Sequence, residues 1–277
     1  MGGGSYSYQS AVLRRSTDSY YTDTTSREER FTRRTISPDM DPKKISIRES
    51  RDSEEHPESY PIIIALDETG SMGRIPDHLI THLLPKIMKK IMDAGIPNPQ
   101  VCFMGFGDCQ ECYENAPLQV GQFESSDLLM EKWLKEVYLE GMGGGNHGED
   151  AELPWYFAAN HIVTDAWEKR HKKGCLITIS DEPVHGRLPQ KAVIKYIGDG
   201  CEADIPTEKI LKKVSEKWNI YHIHCEGSQS YTLEETNWKE LIDYRVVRSE
   251  DRQADDISEI IPQLVITSYN SENVTTD

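Results

Sequence analysis

The chain changes character at residue 61: from there, short aliphatic runs alternate with stretches in which apolar side chains recur every three or four positions. "PIIIALD" (61–67) is continuously apolar and β-branched, the pattern of a strand covered on both faces. "IPDHLITHLLPKIMKKIMDAG" (75–95) sets Leu79, Leu83, Leu84, Ile87, Met88, Ile91 and Met92 at helical spacing, starting near Pro76 and stopping at Gly95. Pro85 predicts a bend or interruption in that helix. "PQVCFMGFGD" (99–108) reads as a second buried strand, and "PLQVGQF" (117–123) as a short, more polar one at an edge.

The alternation continues. "SSDLLMEKWLKEVYLE" (125–140) predicts a helix capped by Ser126, with a stripe through Leu129, Trp133 and Val137. A glycine loop precedes "AELPWYFAANHIVTDAWEKR" (151–170), read as one helix. "GCLITISDE" (174–182) and "NIYHIHCE" (219–226) read as strands, "PTEKILKKVSEKW" (206–218) and "ISEIIPQLVITSY" (257–269) as helices. Buried strands alternating with helices imply an α/β fold, a doubly wound and mostly parallel sheet flanked by helices. The domain is expected over 59–270, with a short tail at 271–277.

Residues 1–58 lack this pattern. Residues 1–36 hold six Arg against four acids, with four Tyr, six Ser and six Thr but few aliphatics. Alone, such a segment cannot bury enough apolar surface to offset its ordering entropy. An extended N-terminal arm is expected, either disordered or docked on a neighbouring subunit or partner, followed by a proline-containing lead-in that lies against the domain. The whole chain carries a net charge of −16, which argues against nucleic acid or an anionic membrane as partner. With no membrane-length apolar run and no secretory h-region, a cytoplasmic location is expected. Six cysteines without a framework spacing suit reduced thiols.

Ligands of open α/β sheets bind beyond the carboxyl ends of the strands. Two predicted strands end there in acids, Asp67 and Asp181, and the first is followed by Thr69 and Ser71. The glycine loop 141–152 adds Asn146 or Glu149 at the same rim. These are hard oxygen donors suited to Mg²⁺, Ca²⁺ or Mn²⁺. The alternative is that the hydroxyls only cap the following helix.

"DETGSM" (67–72) resembles the Asp-x-Ser/Thr-x-Ser signature of von Willebrand factor A (vWA) domains, whose metal-ion-dependent adhesion site, MIDAS, lies at the end of the first strand. "EGMGGGNHGEDAEL" (140–153) is similar to the family's second segment and "ITISDE" (177–182) to the strand bearing its last aspartate, in family order over roughly 59–270. The resemblance implies a metal held by Asp67, Thr69, Ser71, Asn146 and Asp181, with Mg²⁺ preferred. Asn146 departs from the threonine that many members carry. It further implies a binding function in which an acidic side chain of a partner protein completes the metal's shell. Cytosolic bacterial or phage members are the nearest in kind, and by analogy an ATPase or kinase partner is expected. A homo-oligomer assembled through the positive arm is an alternative.

An enzyme is the third reading. A haloacid-dehalogenase-like phosphatase needs Asp-x-Asp, but Thr69 holds the second position; "TGSMG" is not a Gly-x-Ser-x-Gly elbow; no P-loop is present. His185 and Glu182 are the acid/base candidates for a metal-dependent hydrolase or phosphotransferase. Cys109 and Cys112 have half a zinc-site spacing that nothing nearby completes, and His222 with His224 reads as a sheet pair rather than a ligand pair.

Overall fold

The structure is a computed structural model that describes residues 4–110, 116–139, 148–225, 236–250 and 255–273. Ten strands occur among them: β1 (Arg48–Ser50), β2 (Tyr60–Asp67), β3 (Pro99–Phe106), β4 (Leu118–Val120), β5 (Ile162–Thr164), β6 (Gly174–Ser180), β7 (Arg187–Leu188), β8 (Ile205–Pro206), β9 (Trp218–Cys225) and β10 (Val246–Ser249). Six form the main sheet in the order β10-β9-β6-β2-β3-β4, parallel throughout except for β4. The expected α/β class is the one observed. No described helix is long and apolar enough to cross a membrane.

Alternation along β2 sends side chains to two cores. Ile62, Ile64 and Leu66 join one with Leu84, Ile87 and Ile91 of helix Leu84–Asp93. Ile63 and Ala65 join the other with Trp155, Phe157 and Trp218. All eight β2 residues are buried, which is why the strand reads as continuously apolar. His222 stacks on Trp238 with centroids 3.5 Å apart, and burial holds its imidazole well below the usual range, as a core residue.

Pro85 has the expected effect. The helix runs as Ile75–His78, widens to π geometry over Leu79–Leu83 and resumes at Leu84–Asp93. Proline has no N–H for the carbonyl four residues earlier, that of Thr81. Arg15 of the arm supplies the missing donors: its Nη1 donates to Thr81 O at 2.6 Å and Ile80 O at 3.0 Å.

Two expectations need correcting, and one strand was not foreseen. The helix expected over 151–170 is two, Glu152–His161 and Asp165–Arg170, separated by β5. The β-branched Ile162, Val163 and Thr164 favour extended backbone, pair with β1, and let Thr164 cap the second helix. The β4 edge is buried because the lead-in covers it: Val120 N donates to Met40 O at 2.9 Å, and Arg48 donates to Val120 O at 3.0 Å. The strand β10 follows the short helix Trp238–Ile242 and adds an edge that no apolar run announced.

The arm also differs from expectation. It folds onto its own domain, with helices Tyr8–Thr17 and Arg27–Arg30. Tyr6, Ala11 and Phe31 enter the first core. Its arginines find buried acids: Arg14 pairs with Asp127 at 2.6 Å and with Glu131 at 2.9 Å, Arg15 with Glu131 at 3.1 Å, and Arg30 with Asp77 at 2.9 Å. The few apolar residues suffice because the acidic domain neutralises the arm's charge.

Breaking a buried ion pair from one side leaves the other charge uncompensated, at about 3–5 kcal/mol. Arg30→Ala is therefore expected to lower unfolding free energy by about that amount in urea titration. Arg15→Ala, which strands the Pro85-released carbonyls, is expected to cost about 1–3 kcal/mol. A loss below about 1 kcal/mol for Arg30→Ala would show that the arm is not docked in solution.

Candidate metal centre

The carboxyl ends of β2 and β6 are adjacent because these strands pair directly. Asp67 closes β2, and Asp181 directly follows β6. Between them the chain turns through a 3₁₀ segment, Gly70–Met72, and leaves it at Gly73 with φ +54°, a conformation that favours glycine. This turn brings the two hydroxyls back over the strand ends. The Thr69 N–H and Oγ1–H donate to Asp67 Oδ1 at 2.9 and 2.6 Å. Thr69 Oγ1 lies 3.0 Å from Ser71 Oγ, which donates to Asp181 Oδ1 at 2.8 Å. Ser180 Oγ donates to Asp67 Oδ2 at 2.6 Å.

Four of the five expected residues, Asp67, Thr69, Ser71 and Asp181, thus sit in one hydrogen-bonded cluster. Asn146 lies outside the described residues. Asp67, Thr69 and Asp181 are buried, while Ser71 is half-buried. The cluster is short of positive charge. Burial, then the Asp181 charge, raises the Asp67 carboxyl from 3.8 to about 7, against hydrogen bonds from Ser180 and Thr69. Glu182 is pushed up to about 7 by burial and then by Asp181 and Asp67, and its Oε2 is buried with no hydrogen-bond partner among the described residues. An all-oxygen donor set with excess negative charge fits a hard divalent cation.

Glu68 was not singled out by sequence. Its carboxylate lies against Gly105 of β3, where an added Cβ would fall 1.4 Å from Oε1, and it accepts from Gln119 Nε2. The signal was the lone glycine in a buried strand, which marks close approach by another group. Nor did sequence pair His185 with Asp108, although their side chains meet at 3.2 Å, or place Asp150 beside them. The Cys109–Cys112 pairing cannot be described, since 112 lies outside the described residues. Cys109 itself is buried, and its thiol is raised by burial and the neighbouring Asp150.

No family model and no curated protein matches the chain. Among solved structures, the open conformation of the pilus adhesin SpaC from Lactobacillus rhamnosus GG is similar to it, at 12% identity and TM-score 0.51 over 80% of this chain and 31% of that one. Proximal thread matrix protein 1 from the mussel byssus, in a form with a zinc-occupied MIDAS motif, aligns at 15% identity and TM-score 0.46 over 76% of this chain and 46% of that one. The chain therefore spans about a third of the SpaC chain and under half of the byssus protein's. The first likeness agrees with the fold.

A carboxyl raised on folding contributes stability at low pH that is lost as pH rises through its folded value. For Asp67 the window runs from the ordinary carboxylate range to about 7. With chelator present, stability is expected to fall by on the order of a few kcal/mol between about pH 4 and pH 8. Divalent cation at about 100 times its Kd is expected to restore about 2.7 kcal/mol at pH 8. The restoration should be much smaller near pH 5. Thermal unfolding with and without Mg²⁺ across this range checks both signs.

Proposed function

We propose that the chain is a divalent-cation-dependent protein-binding module. The observation that carries this reading is the convergence of Asp67, Thr69, Ser71 and Asp181 at the carboxyl rim of the sheet, with two acids bridged by two hydroxyls. Ser71 and Thr69 would hold the cation through their oxygens, with Asp67 and Asp181 direct or through water and Asn146 approaching from the glycine loop. Mg²⁺ is the ion that best suits a small all-oxygen set supplemented by water. When bound, the cation supplies an open coordination position for a carboxylate.

The residues of the chain do the rest. The Thr69 and Ser180 hydrogen bonds fix Asp67 in one rotamer, so the site is formed before a partner arrives. Half-burial of Ser71 leaves one side of the cluster open to solvent. The incoming group is an Asp or Glu side chain of a partner protein, since among protein side chains the carboxylate matches both the ion's charge and its oxygen preference. Thr69 favours binding over hydrolysis. Where an aspartate-based phosphatase places a second carboxylate, the Thr69 hydroxyl is instead engaged with Asp67 and cannot serve as general acid at neutral pH.

An array of peptides, each with a central Asp or Glu, tests the reading. Capture should require Mg²⁺, disappear with chelator, and be lost in Asp67→Ala and when the central acid becomes its amide. Capture indifferent to chelator would refute it.

A further inference from the structure

We propose that Asp108, Asp150 and His185 form a second cation site, separate from the Asp67 cluster, that takes a transition-metal ion of the Zn²⁺ class. The three come from different segments: Asp108 follows β3, Asp150 precedes helix Glu152–His161, and His185 follows β6. One ligand atom from each lies within 4.8 Å of the other two. His185 Nε2 and Asp108 Oδ1 are 3.2 Å apart, close to the edge of about 3.4 Å that bonds of about 2.1 Å give a tetrahedral ion.

An ordinary Asp–His hydrogen bond accounts for Asp108 and His185, but not for Asp150. That residue is fully buried, and while its Oδ2 accepts from Cys109 N at 2.6 Å, its Oδ1 has no hydrogen-bond partner among the described residues. An unsatisfied buried carboxylate oxygen is costly, and folding retains it here beside an imidazole. Glu152, also fully buried, adds further negative charge two residues on; its Oε1 accepts from Thr207 Oγ1 at 2.5 Å and its Oε2 has no hydrogen-bond partner among the described residues. A divalent ion answers this surplus more fully than one imidazolium does.

The imidazole is held in place for the task. A Cβ at Gly148 would lie 2.7 Å from both Cε1 and Nδ1 of His185, so the backbone packs directly against the ring. The three segments are already tied, with Asp150 N donating to Gly107 O at 3.2 Å and Glu149 N to Pro183 O at 2.9 Å. The donor sets separate the two sites chemically. A nitrogen beside two carboxylates favours zinc-class ions, whereas the Asp67 cluster offers only oxygen. Three protein ligands leave a coordination position for water. An ion here would pin Gly148–Asp150, the segment immediately after the glycine loop. This inference does not rest on the binding function assigned to Asp67.

The test is a Zn²⁺ titration of the full chain against a chromophoric chelator, in excess Mg²⁺. One equivalent should bind, with affinity falling at least about 100-fold in Asp150→Asn and in His185→Gln but staying unchanged in Asp67→Ala. Loss in Asp67→Ala with retention in His185→Gln would overturn the assignment, as would displacement of the ion by millimolar Mg²⁺. Should the buried variants fail to fold, wild-type crystals grown with Zn²⁺ decide through anomalous diffraction at the zinc edge. A peak among Asp108, Asp150 and His185 supports the site. A peak only at the Asp67 cluster, only at exposed histidines, or nowhere excludes it.

Discussion

Burying the Asp67 carboxylate at the end of a central strand is the constraint around which the rim is built. Desolvation penalises its charged form, and Asp181 on the neighbouring strand penalises it again. Hydrogen bonds from Thr69 and Ser180 oppose both effects but do not cancel them. Such a residue makes poor sense as a stabilising element, because an apolar residue there would extend the packing of Ile63 and Ala65. It makes sense as part of a site whose missing counter-charge arrives from outside.

The same deficit of positive charge explains the arm. A segment rich in Arg and poor in aliphatics gains little from burial alone, yet Arg14, Arg15 and Arg30 each meet an acid of the domain. Arg15 has a further role, since the carbonyls it satisfies are those freed by Pro85. The widened turn over Leu79–Leu83 and the docked arm are thus two halves of one solution to the backbone hydrogen-bond problem.

Legibility in the sequence followed the distance over which each feature is determined. The strands β2, β3, β6 and β9 could be read from apolar runs because both of their faces are covered locally by the same alternation of strand and helix. Asp67, Thr69 and Ser71 share one turn, so their grouping could be inferred from spacing, and the ends of adjacent strands bring in Asp181. Features that depend on partners far along the chain were not legible. The break at Ile162 needs β1, some 110 residues earlier, to stabilise extended backbone. The docking of the arm needs acids at 77, 127 and 131 whose orientation no periodicity reveals. The Asp108–Asp150–His185 grouping is likewise set by three connections, far apart in the chain, that meet only in space.

The oxygen donors of the rim rest on two different supports. Asp67 and Asp181 are carried by the paired strands β2 and β6, in the interior of the sheet, and cannot shift without disturbing both cores. Ser71 belongs to a short turn whose far end is gripped by the arm: Arg27 Nη1 donates to the Gly73 carbonyl at 2.7 Å, and Arg30 pairs with Asp77 on the helix that follows. The rigid acids define where charge accumulates, while the arm helps to set how close the hydroxyls come to it. Any interaction that draws Ser71 toward or away from Asp181 must therefore work against the arm's two arginines, which couples the rim to a segment that carries none of its donors.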